Sequence, residues 1–378
     1  MKDLAKINNP YNDDKDFSGC SIFGAMNVEG KRFPPRDPIR AIANMHERGN
    51  GLGGGWAAYG IYPEHADDYA FHVMYLRSAA KEKMEKFLKD HFDIIADEEI
   101  PTREANVRNP PLVWRYFVQP NQRKLEAQTT DDYVTENVMR ANSEIGNAFI
   151  FSSGKNMGVF KGVGFPEDIA DFFRLEEYEA YIWTCHGRFP TNSQGWWGGA
   201  HPFNILDWTV VHNGELSSYG INRRYLEMYG YKCTMQTDTE VLAYAVDLLM
   251  RKQYLSIDMV ANILAAPLWS EIDTMPPKQQ QLFRALRQTY GSLLMNGPFS
   301  IIVAHHGEMI GLTDRIKLRP LVAGTRGDFI YLSSEEAAMR LVAPTLDKFW
   351  YPRGGEPVVG KLRNQKTAEV TNAMEATK

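Results

Sequence analysis

Short apolar runs separated by turn-forming residues recur along this chain, and they constrain its fold more than any other feature. Several neighbouring runs are too close together for a crossover helix, as at 148–152 and 157–161, which flank a Ser-Gly-Lys-Asn turn. Hairpins therefore outnumber βαβ units, and the pattern predicts one large α+β domain of mainly antiparallel sheets covered by helices. The other strand-like runs are 56–62, 71–76, 180–185, 208–212, 299–304, 308–312 and 329–333.

Helical patterns fill the longer gaps between these runs. Asp37 is the expected N-cap of a helix that has Pro38 in its first turn and ends at Gly49. We expect residues 80–147 to form an insertion and residues 363–378 to form a polar tail. Further helical spacing occurs at 84–92, 166–173, 222–229, 239–251 and 278–290.

Composition excludes several classes of protein. The chain has 378 residues, a formal net charge of -5 and no run of Lys or Arg, so we expect no nucleic-acid partner and no acidic membrane surface. The first nineteen residues are polar and no segment has about 18 consecutive apolar residues, which argues against a secretory signal or a membrane span. Cys20, Cys185 and Cys233 cannot all pair and form no CxxC, which favours a reducing compartment. We therefore expect a soluble, cytoplasmic protein.

Two local motifs have simple structural explanations. Gly49, Gly51 and Gly54 spell G-x-G-x-x-G, but a predicted helix precedes them and a strand follows, the reverse of a dinucleotide site. A tight backbone turn, or a backbone that comes close to a ligand, explains these glycines better than dinucleotide binding does. Cys185 and His186 are neighbours in a predicted strand and point to opposite faces, so we expect Cys185 in the core and not in a catalytic pair.

Histidines and tryptophans leave alternatives open. His186, His201 and His212 fall within 27 residues, so metal ligation remains an alternative, although their spacing matches no standard site and we predict no metal. The pair Trp196–Trp197 stands between glycines, where it can stack on a sugar or pack a loop.

A series of motifs is far more specific than any of these features. In chain order it comprises S-G-C-S-I-F-G at 18–24, H-E-R-G at 46–49, H-G-R-F-P-T-N at 186–192, A-H-P-F at 200–203, V-H-N-G-E-L at 211–216, Q-T-D-T-E-V at 236–241, L-R-P-L at 318–321 and L-S-S-E at 332–335. The series resembles the class II glutamine amidotransferases, whose glutaminase domains are N-terminal nucleophile hydrolases. Its closest resemblance is to stand-alone glutaminase-type subunits of the glutamate-synthase branch. The implied fold is a four-layer αββα sandwich of two mainly antiparallel sheets, with the amidotransferase domain over residues 20–362.

The resemblance implies that Cys20 is the nucleophile and the first residue of the mature chain. Its own α-amino group would then shuttle the proton, since an α-amine has a pKa of about 8. Residues 1–19 are accordingly expected to be a propeptide or leader, because while they are attached the nitrogen of Cys20 is an amide and no base. One departure is Ser21, which stands where the family usually has glycine.

The same resemblance assigns the other catalytic and substrate-binding groups. Asn213 and Gly214 match the oxyanion donors, through a side-chain amide and a backbone N–H. Arg188 matches the arginine that binds the glutamine α-carboxylate, and Asp238 matches the acid that holds the α-ammonium. Taken singly, each residue has another explanation: a buried strand cysteine at Cys20, a turn at Asn213–Gly214, a surface ion pair at Arg188 and a helix N-cap at Asp238. Their joint occurrence in the family order favours the glutaminase interpretation.

Three further residues and the implied partner complete the hypothesis. Thr191 and His201 match family positions and are expected to support the pocket, and Arg48 is expected to be structural near the nucleophile. The chain itself needs no cofactor for L-glutamine hydrolysis. The resemblance implies a flavin-bearing glutamate synthase-like partner subunit that carries FMN and iron–sulfur clusters and receives the ammonia. The alternatives are a non-catalytic glutamine-binding regulatory subunit with the same fold, or a hydrolase that acts on another amide.

Overall fold

The computed structural model describes residues 19–125, 128–189, 195–235 and 237–363, which form both strands and helices. The strands are β1 Ser21–Asn27, β2 Gly54–Tyr59, β3 Tyr69–Tyr75, β4 Phe92–Glu99, β5 Leu112–Pro120, β6 Ala148–Ser152, β7 Met157–Gly162, β8 Ile182–Gly187, β9 Phe203–Ile205, β10 Trp208–Gly214, β11 Phe299–His305, β12 Glu308–Thr313, β13 Val322–Arg326, β14 Phe329–Ser333, β15 Lys348–Trp350 and β16 Val358–Lys361.

The α-helices lie between these strands and are mostly short. They are α1 Arg36–Ala43, α2 Ala80–His91, α3 Thr130–Glu144, α4 Pro166–Phe172, α5 Tyr219–Glu227, α6 Asp238–Val246, α7 Ile257–Leu264, α8 Trp269–Ile272, α9 Pro277–Tyr290 and α10 Glu336–Val342. Within the described ranges, no helix combines the length and apolar composition needed to cross a membrane.

Two antiparallel sheets form the centre of the fold. One has the strand order β15-β13-β14-β1-β8-β2-β7, and the other has the order β16-β12-β11-β10-β9. Every strand pairing within them is antiparallel among the described residues. The sequence prediction of mainly antiparallel sheets is therefore confirmed.

The two sheets face each other and are covered by helices on their outer sides. Gly24 of β1 marks the close approach between them, because a Cβ atom at this position would lie 2.8 Å from Met309 Sδ and 3.2 Å from Ile302 Cδ1. Helices α1, α4 and α10 pack on the seven-stranded sheet, and α6 packs on β9 and β10 of the other sheet, with α5 beside it. The result is the αββα sandwich that the sequence predicts.

Residues 80–147 supply two of the four strands of a third sheet beside the sandwich. Its strand order is β4-β5-β3-β6, and α2 and α3 pack against it. Phe71, Val73 and Tyr75 of β3 share an apolar core with Met84 and Leu88 of α2. The insertion at 80–147 therefore extends a sheet whose other two strands, β3 and β6, lie outside it. The division of the chain into domains stays a prediction.

Two local predictions need correction. The runs 148–152 and 157–161 are strands β6 and β7, but they pair with β3 and β2 and not with each other. The turn between them crosses from one sheet to the next, where Asn204 Oδ1 accepts from the backbone N–H of Ser153 at 2.8 Å. The helix predicted over Asp37–Gly49 begins one residue earlier and stops at Ala43, and a separate 3₁₀ turn follows at His46–Arg48.

Candidate active site

Cys20 lies immediately before β1, at the mouth of the sandwich. Two backbone contacts with Arg48 fix it there: Gly19 N–H donates to Arg48 O at 3.0 Å, and Arg48 Nε donates to Cys20 O at 3.1 Å. Arg48 is itself held by Glu335, whose Oε1 lies 2.7 Å from Nη1. The position of Arg48 fits a structural role, and Cys20 stands outside the strand that follows it.

The Cys20 thiol is partly buried and has a defined polar environment. Its Sγ accepts a hydrogen bond from the Phe189 backbone N–H at 3.4 Å. Burial raises the pKa of this thiol, and the negative charge of Asp238 raises it further. The hydrogen bond from Phe189 and the positive charges of Arg188 and Arg319 lower the pKa in part. The thiol is therefore protonated at neutral pH in this form, and it needs a nearby proton acceptor to become a nucleophile.

Asn213 and Gly214 end β10 close to the start of β1. Asn213 is 0% exposed, and its Nδ2 donates to Ser334 Oγ at 3.3 Å. Ser334 Oγ also accepts from the Ile22 backbone N–H at 3.1 Å, which connects this amide to β1, the strand that follows Cys20. Asn213 Oδ1 has no hydrogen-bond partner among the described residues.

Only glycine fits at position 214. Its φ is +151°, and a Cβ atom there would lie 2.0 Å from Pro298 O. The alternative that Asn213–Gly214 forms a turn is wrong, because both residues continue the β10 ladder opposite Ser300 and Phe299 of β11. The pair therefore presents a side-chain amide and a strained backbone next to each other at a strand end.

Arg188 follows β8 directly and is only 5% exposed, so the alternative of a surface ion pair is wrong. Its backbone N–H donates to Gly53 O at 2.9 Å. The side chain runs past Gly53, where a Cβ atom would lie 2.9 Å from Arg188 Cδ. Burial lowers the pKa of Arg188, while the nearby Cys20 and Asp238 oppose this lowering, so both lie within electrostatic range of the guanidinium.

Asp238 is the first residue of α6, and its carboxylate faces the end of β10. Oδ2 accepts from the Leu216 backbone N–H at 2.9 Å, and Oδ1 lies 3.6 Å from His212 Nδ1. Burial would raise the pKa of Asp238, but His212 and the hydrogen bonds from Leu216 and Thr239 hold it below its usual value. The helix N-cap is Thr237, whose side chain accepts from the Glu240 N–H, and the alternative cap at Asp238 is wrong.

The three histidines meet behind this site. The ring centroids of His186 and His201 are 4.0 Å apart, and those of His201 and His212 are 6.4 Å apart. Burial holds the pKa values of His186 and His201 well below the usual value, so both rings are neutral at neutral pH. Among the described residues, no group of three or more His, Cys, Asp or Glu side chains has an arrangement that could hold a metal ion.

Thr239 connects the histidines to Asp238. Its Oγ1 lies 3.1 Å from His201 Nε2 and 3.0 Å from His212 Nδ1. His201 is thus joined to Asp238 through Thr239, and its expected role in supporting the pocket stays a prediction. Thr191, the remaining sequence-predicted residue, lies outside the described residues.

The other motifs have structural roles in the described chain. The glycine-rich stretch leads into β2 and opens no helix, unlike a dinucleotide site. Trp197 is buried against Phe172 and Phe173, and its Nε1 donates to Arg108 O at 2.8 Å. This tryptophan therefore packs a loop.

Cys185 is buried in the core, where its thiol lies 3.6 Å from Phe23 O.

Sequence reasoning gave no role to several residues that shape the site. Ser334 and Arg319 stand in the L-S-S-E and L-R-P-L motifs, whose spacing points to the family but to no role for either residue. Ser334 positions the Asn213 amide, and Arg319 contributes positive charge beside the Cys20 thiol. No local pattern points to Phe189, because it acts through its backbone N–H.

An antiparallel αββα sandwich with a cysteine at the head of its first strand defines the N-terminal nucleophile hydrolase fold. Residues 58–348 match the family model of the class II glutamine amidotransferases. This chain therefore belongs to the class II glutamine amidotransferases, which confirms the resemblance drawn from the motifs.

Individual relatives extend this comparison. An uncharacterized protein of Archaeoglobus fulgidus is 58% identical over 93% of this chain and 95% of its own length. The glutamine amidotransferase-like protein GlxB of Rhizobium meliloti is 27% identical over 50% of this chain and 54% of its own length. Among solved structures, the glutamine phosphoribosylpyrophosphate amidotransferase of B. subtilis has a TM-score of 0.45 at 15% identity, covering 90% of this chain and 47% of that one.

Proposed function

We propose that this chain hydrolyses L-glutamine to L-glutamate and ammonia through a thioester on Cys20, and that the ammonia passes to a glutamate synthase-like partner subunit. The observation that carries the glutaminase step is the clustering of a thiol, a buried guanidinium and an ionised carboxylate. The charges of Arg188 and Asp238 act on the pKa of Cys20, and the charges of Cys20 and Asp238 act on the pKa of Arg188, although the three residues come from separate parts of the sequence. This is the set of groups that amide hydrolysis of a free amino acid requires.

The reaction begins with attack of Cys20 Sγ on the side-chain amide carbon of glutamine. In the mature chain the α-amine of Cys20 takes the thiol proton and passes it to the leaving nitrogen, so that ammonia departs and a thioester remains. Water then attacks the thioester, and the same amine removes a proton from this water and returns it to the departing sulfur, so that glutamate is released and the free thiol is regenerated. Proton transfer needs no histidine, which agrees with the neutral, buried state of His186 and His201.

Asn213 and Gly214 are suited to stabilise the oxyanion of both tetrahedral intermediates. An amide nitrogen carries two hydrogens, so Asn213 Nδ2 can keep its bond to Ser334 Oγ and donate the second hydrogen to the oxyanion. The full burial of Asn213 strengthens that interaction, because little water competes for it.

Arg188 and Asp238 are suited to hold the head of the substrate. A guanidinium matches the α-carboxylate of glutamine through two parallel hydrogen bonds. The lowered pKa of Asp238 keeps its carboxylate ionised at neutral pH, where it can pair with the α-ammonium. A substrate without a free amino-acid head would offer neither the carboxylate nor the ammonium group that these two side chains suit, which disfavours hydrolysis of another amide.

The choice of ammonia acceptor rests on motif similarity. The stretches W-W-G-G-A-H-P-F and H-N-G-E-L resemble the glutamate-synthase branch most closely, and this supports a flavin-bearing partner with FMN and iron–sulfur clusters. The test is ammonia release by the purified chain with and without a co-purifying flavoprotein. An increase on addition supports the coupling, and full turnover by the isolated chain contradicts it.

A non-catalytic glutamine sensor is the second candidate, and one observation favours it. Cys20 follows Gly19 in the chain, and an amide nitrogen cannot serve as the proton acceptor that the protonated thiol needs. Intact mass decides between the two functions. An active preparation that lacks the nineteen residues before Cys20 supports the glutaminase. A full-length protein that binds glutamine without hydrolysis, and whose Cys20 resists a glutamine-analogue electrophile, establishes the sensor.

A further inference from the structure

A lysine that the proposed reaction does not use is buried beside the candidate active site. Lys161 belongs to β7 and is 1% exposed. Its ammonium donates to Gly198 O at 3.0 Å and lies 4.3 Å from the centre of the Phe203 ring. Burying an ammonium costs free energy unless specific partners compensate it. The contact with Gly198 is therefore a strong constraint on the segment that carries this carbonyl.

That segment, Gly195–His201, packs against the arginine proposed to bind substrate. A Cβ atom at Gly199 would lie 3.3 Å from Arg188 Nη1 and 2.7 Å from Trp196 Nε1. The next residue, Ala200, lies near the space that Gly53 leaves open for the Arg188 stem, because a Cβ atom at Gly53 would lie 2.9 Å from Arg188 Cδ and 3.5 Å from Ala200 Cβ. The Gly195–His201 segment thus forms one wall of the space that the guanidinium occupies.

Charges around Lys161 explain why it binds a carbonyl. Burial lowers the pKa of Lys161 to about 7, the charge of Glu240 opposes this, and the charge of Arg188 adds to it. Glu240 is occupied elsewhere, since it accepts from the backbone N–H groups of Thr234 and Met235 and from Tyr244 OH, each at 2.9 Å. The direct contact of the ammonium is therefore the Gly198 carbonyl, next to the residue that touches Arg188.

We propose that Lys161 is a positioning residue for glutamine binding, which fixes the Gly195–His201 segment so that Arg188 is held ready for the substrate α-carboxylate. This inference rests on the proposed function. Arg188 would bind the carboxylate equally in the ground and transition states, so loss of its positioning acts on KM and leaves kcat nearly unchanged.

The test is Lys161→Met, which keeps most of the apolar stem and removes the ammonium. We expect KM for glutamine to rise about tenfold or more, as for loss of a hydrogen bond to a charged group, with kcat within about twofold of wild type. Amide hydrogen exchange of the Gly195–His201 segment should become faster without substrate present. Lys86→Met on the exposed side of α2 is the matched control, and it should change neither quantity.

A second variant keeps the inference testable if Lys161→Met does not fold. Gly199→Ala leaves Lys161 intact but places a methyl group against Arg188 Nη1 and the Trp196 indole. It should also raise KM about tenfold or more with little change in kcat, as expected when a binding contact is lost. Unchanged KM and exchange in folded Lys161→Met would overturn the inference and leave the glutaminase standing.

Failure of the proposed function has a different signature. It appears as absence of glutamine hydrolysis by wild-type protein that has Cys20 at its N-terminus. In that case the rate of amide hydrogen exchange in the Gly195–His201 segment of Lys161→Met still shows whether the Lys161 ammonium fixes this segment. An unchanged exchange rate would overturn the claim that it does.

Discussion

The carboxylate of Asp238 accepts a hydrogen bond from the backbone N–H of Leu216 at 2.9 Å, and this contact joins the first turn of α6 to the chain that leaves β10. Asn213 and Gly214 stand at the end of β10, three and two residues before Leu216. The proposed ammonium site and the proposed oxyanion donors are thus directly connected through the chain from Asn213 to Leu216. A substrate gripped at its head by Asp238 is placed in a fixed relation to the groups that would stabilise its reacting carbonyl.

Replacement of the nucleophile is the first prediction. Cys20→Ala should abolish glutamine hydrolysis and leave the fold intact, because this thiol is the proposed attacking atom and precedes β1. Steady-state ammonia release and the circular dichroism spectrum measure the two effects. Cys185→Ala is the matched control: its thiol is buried in the core, so activity should persist with a modest loss of stability. An inactive Cys185→Ala beside an active Cys20→Ala would reassign the nucleophile.

Asn213 should act on the chemical step. Asn213→Ala is expected to lower kcat by about 100-fold or more with a small change in KM, since an oxyanion donor is used mainly in the transition state. Ser334→Ala should lower kcat less, because the Asn213 amide stays in place but loses the acceptor that orients it. Steady-state kinetics with glutamine measure both variants. A rise in KM at constant kcat for Asn213→Ala would exclude the oxyanion role.

Asp238 should act on substrate binding. Asp238→Asn keeps the shape of the side chain and removes the charge that would pair with the α-ammonium, so KM for glutamine should rise strongly. Asp258→Asn, at an exposed position of α7, is the matched control and should behave as wild type. Glutamine titrations of both variants provide the measurement. Equal KM values in the two variants would remove Asp238 from the substrate site.

The sequence predicts much of the fold because buried strands of this sandwich are continuous apolar runs. It does not reveal β4, whose sequence FDIIADEE is largely exposed and carries four acidic residues, so no apolar run marks it. The separate sheets of β6 and β7 were also not predictable, since local pattern shows that a strand exists but not which distant strand it pairs with.

The candidate site likewise contains residues that the sequence reveals and residues that it does not. Motif order places Cys20, Arg188 and Asp238, because each stands in a recognisable run of residues. Lys161 lies in an apolar strand without any such signal, and its partner Gly198 is 37 positions away in sequence. Thr237 and Asp238 both suit a helix N-cap, and only the backbone path shows that Thr237 takes this role and leaves Asp238 facing the site.

Acid sensitivity of the fold is the last prediction, and it rests on His72 in β3. The imidazole is fully buried, with Nε2 2.8 Å from Tyr62 OH and Nδ1 2.8 Å from Val159 O. Burial, aided by the positive charge of Arg115, lowers the pKa of His72 from 6.5 to about 3. Below pH 6.5 the unfolded chain therefore binds a proton at this residue that the folded chain does not bind.

The stability contributed by neutral His72 is thus complete above pH 6.5 and is lost as pH falls from 6.5 towards about 3. The slope is about 1.4 kcal/mol of unfolding free energy per pH unit for one proton. Urea titrations between pH 7.5 and about 4.5 should show a shallower slope, by about this amount, for His72→Phe than for wild type. His72→Phe loses two hydrogen bonds, so it should be less stable at pH 7.5, and the slope is the informative quantity. Parallel pH profiles for the two proteins, or a His72 ring that protonates near pH 6.5 by NMR, would contradict the prediction.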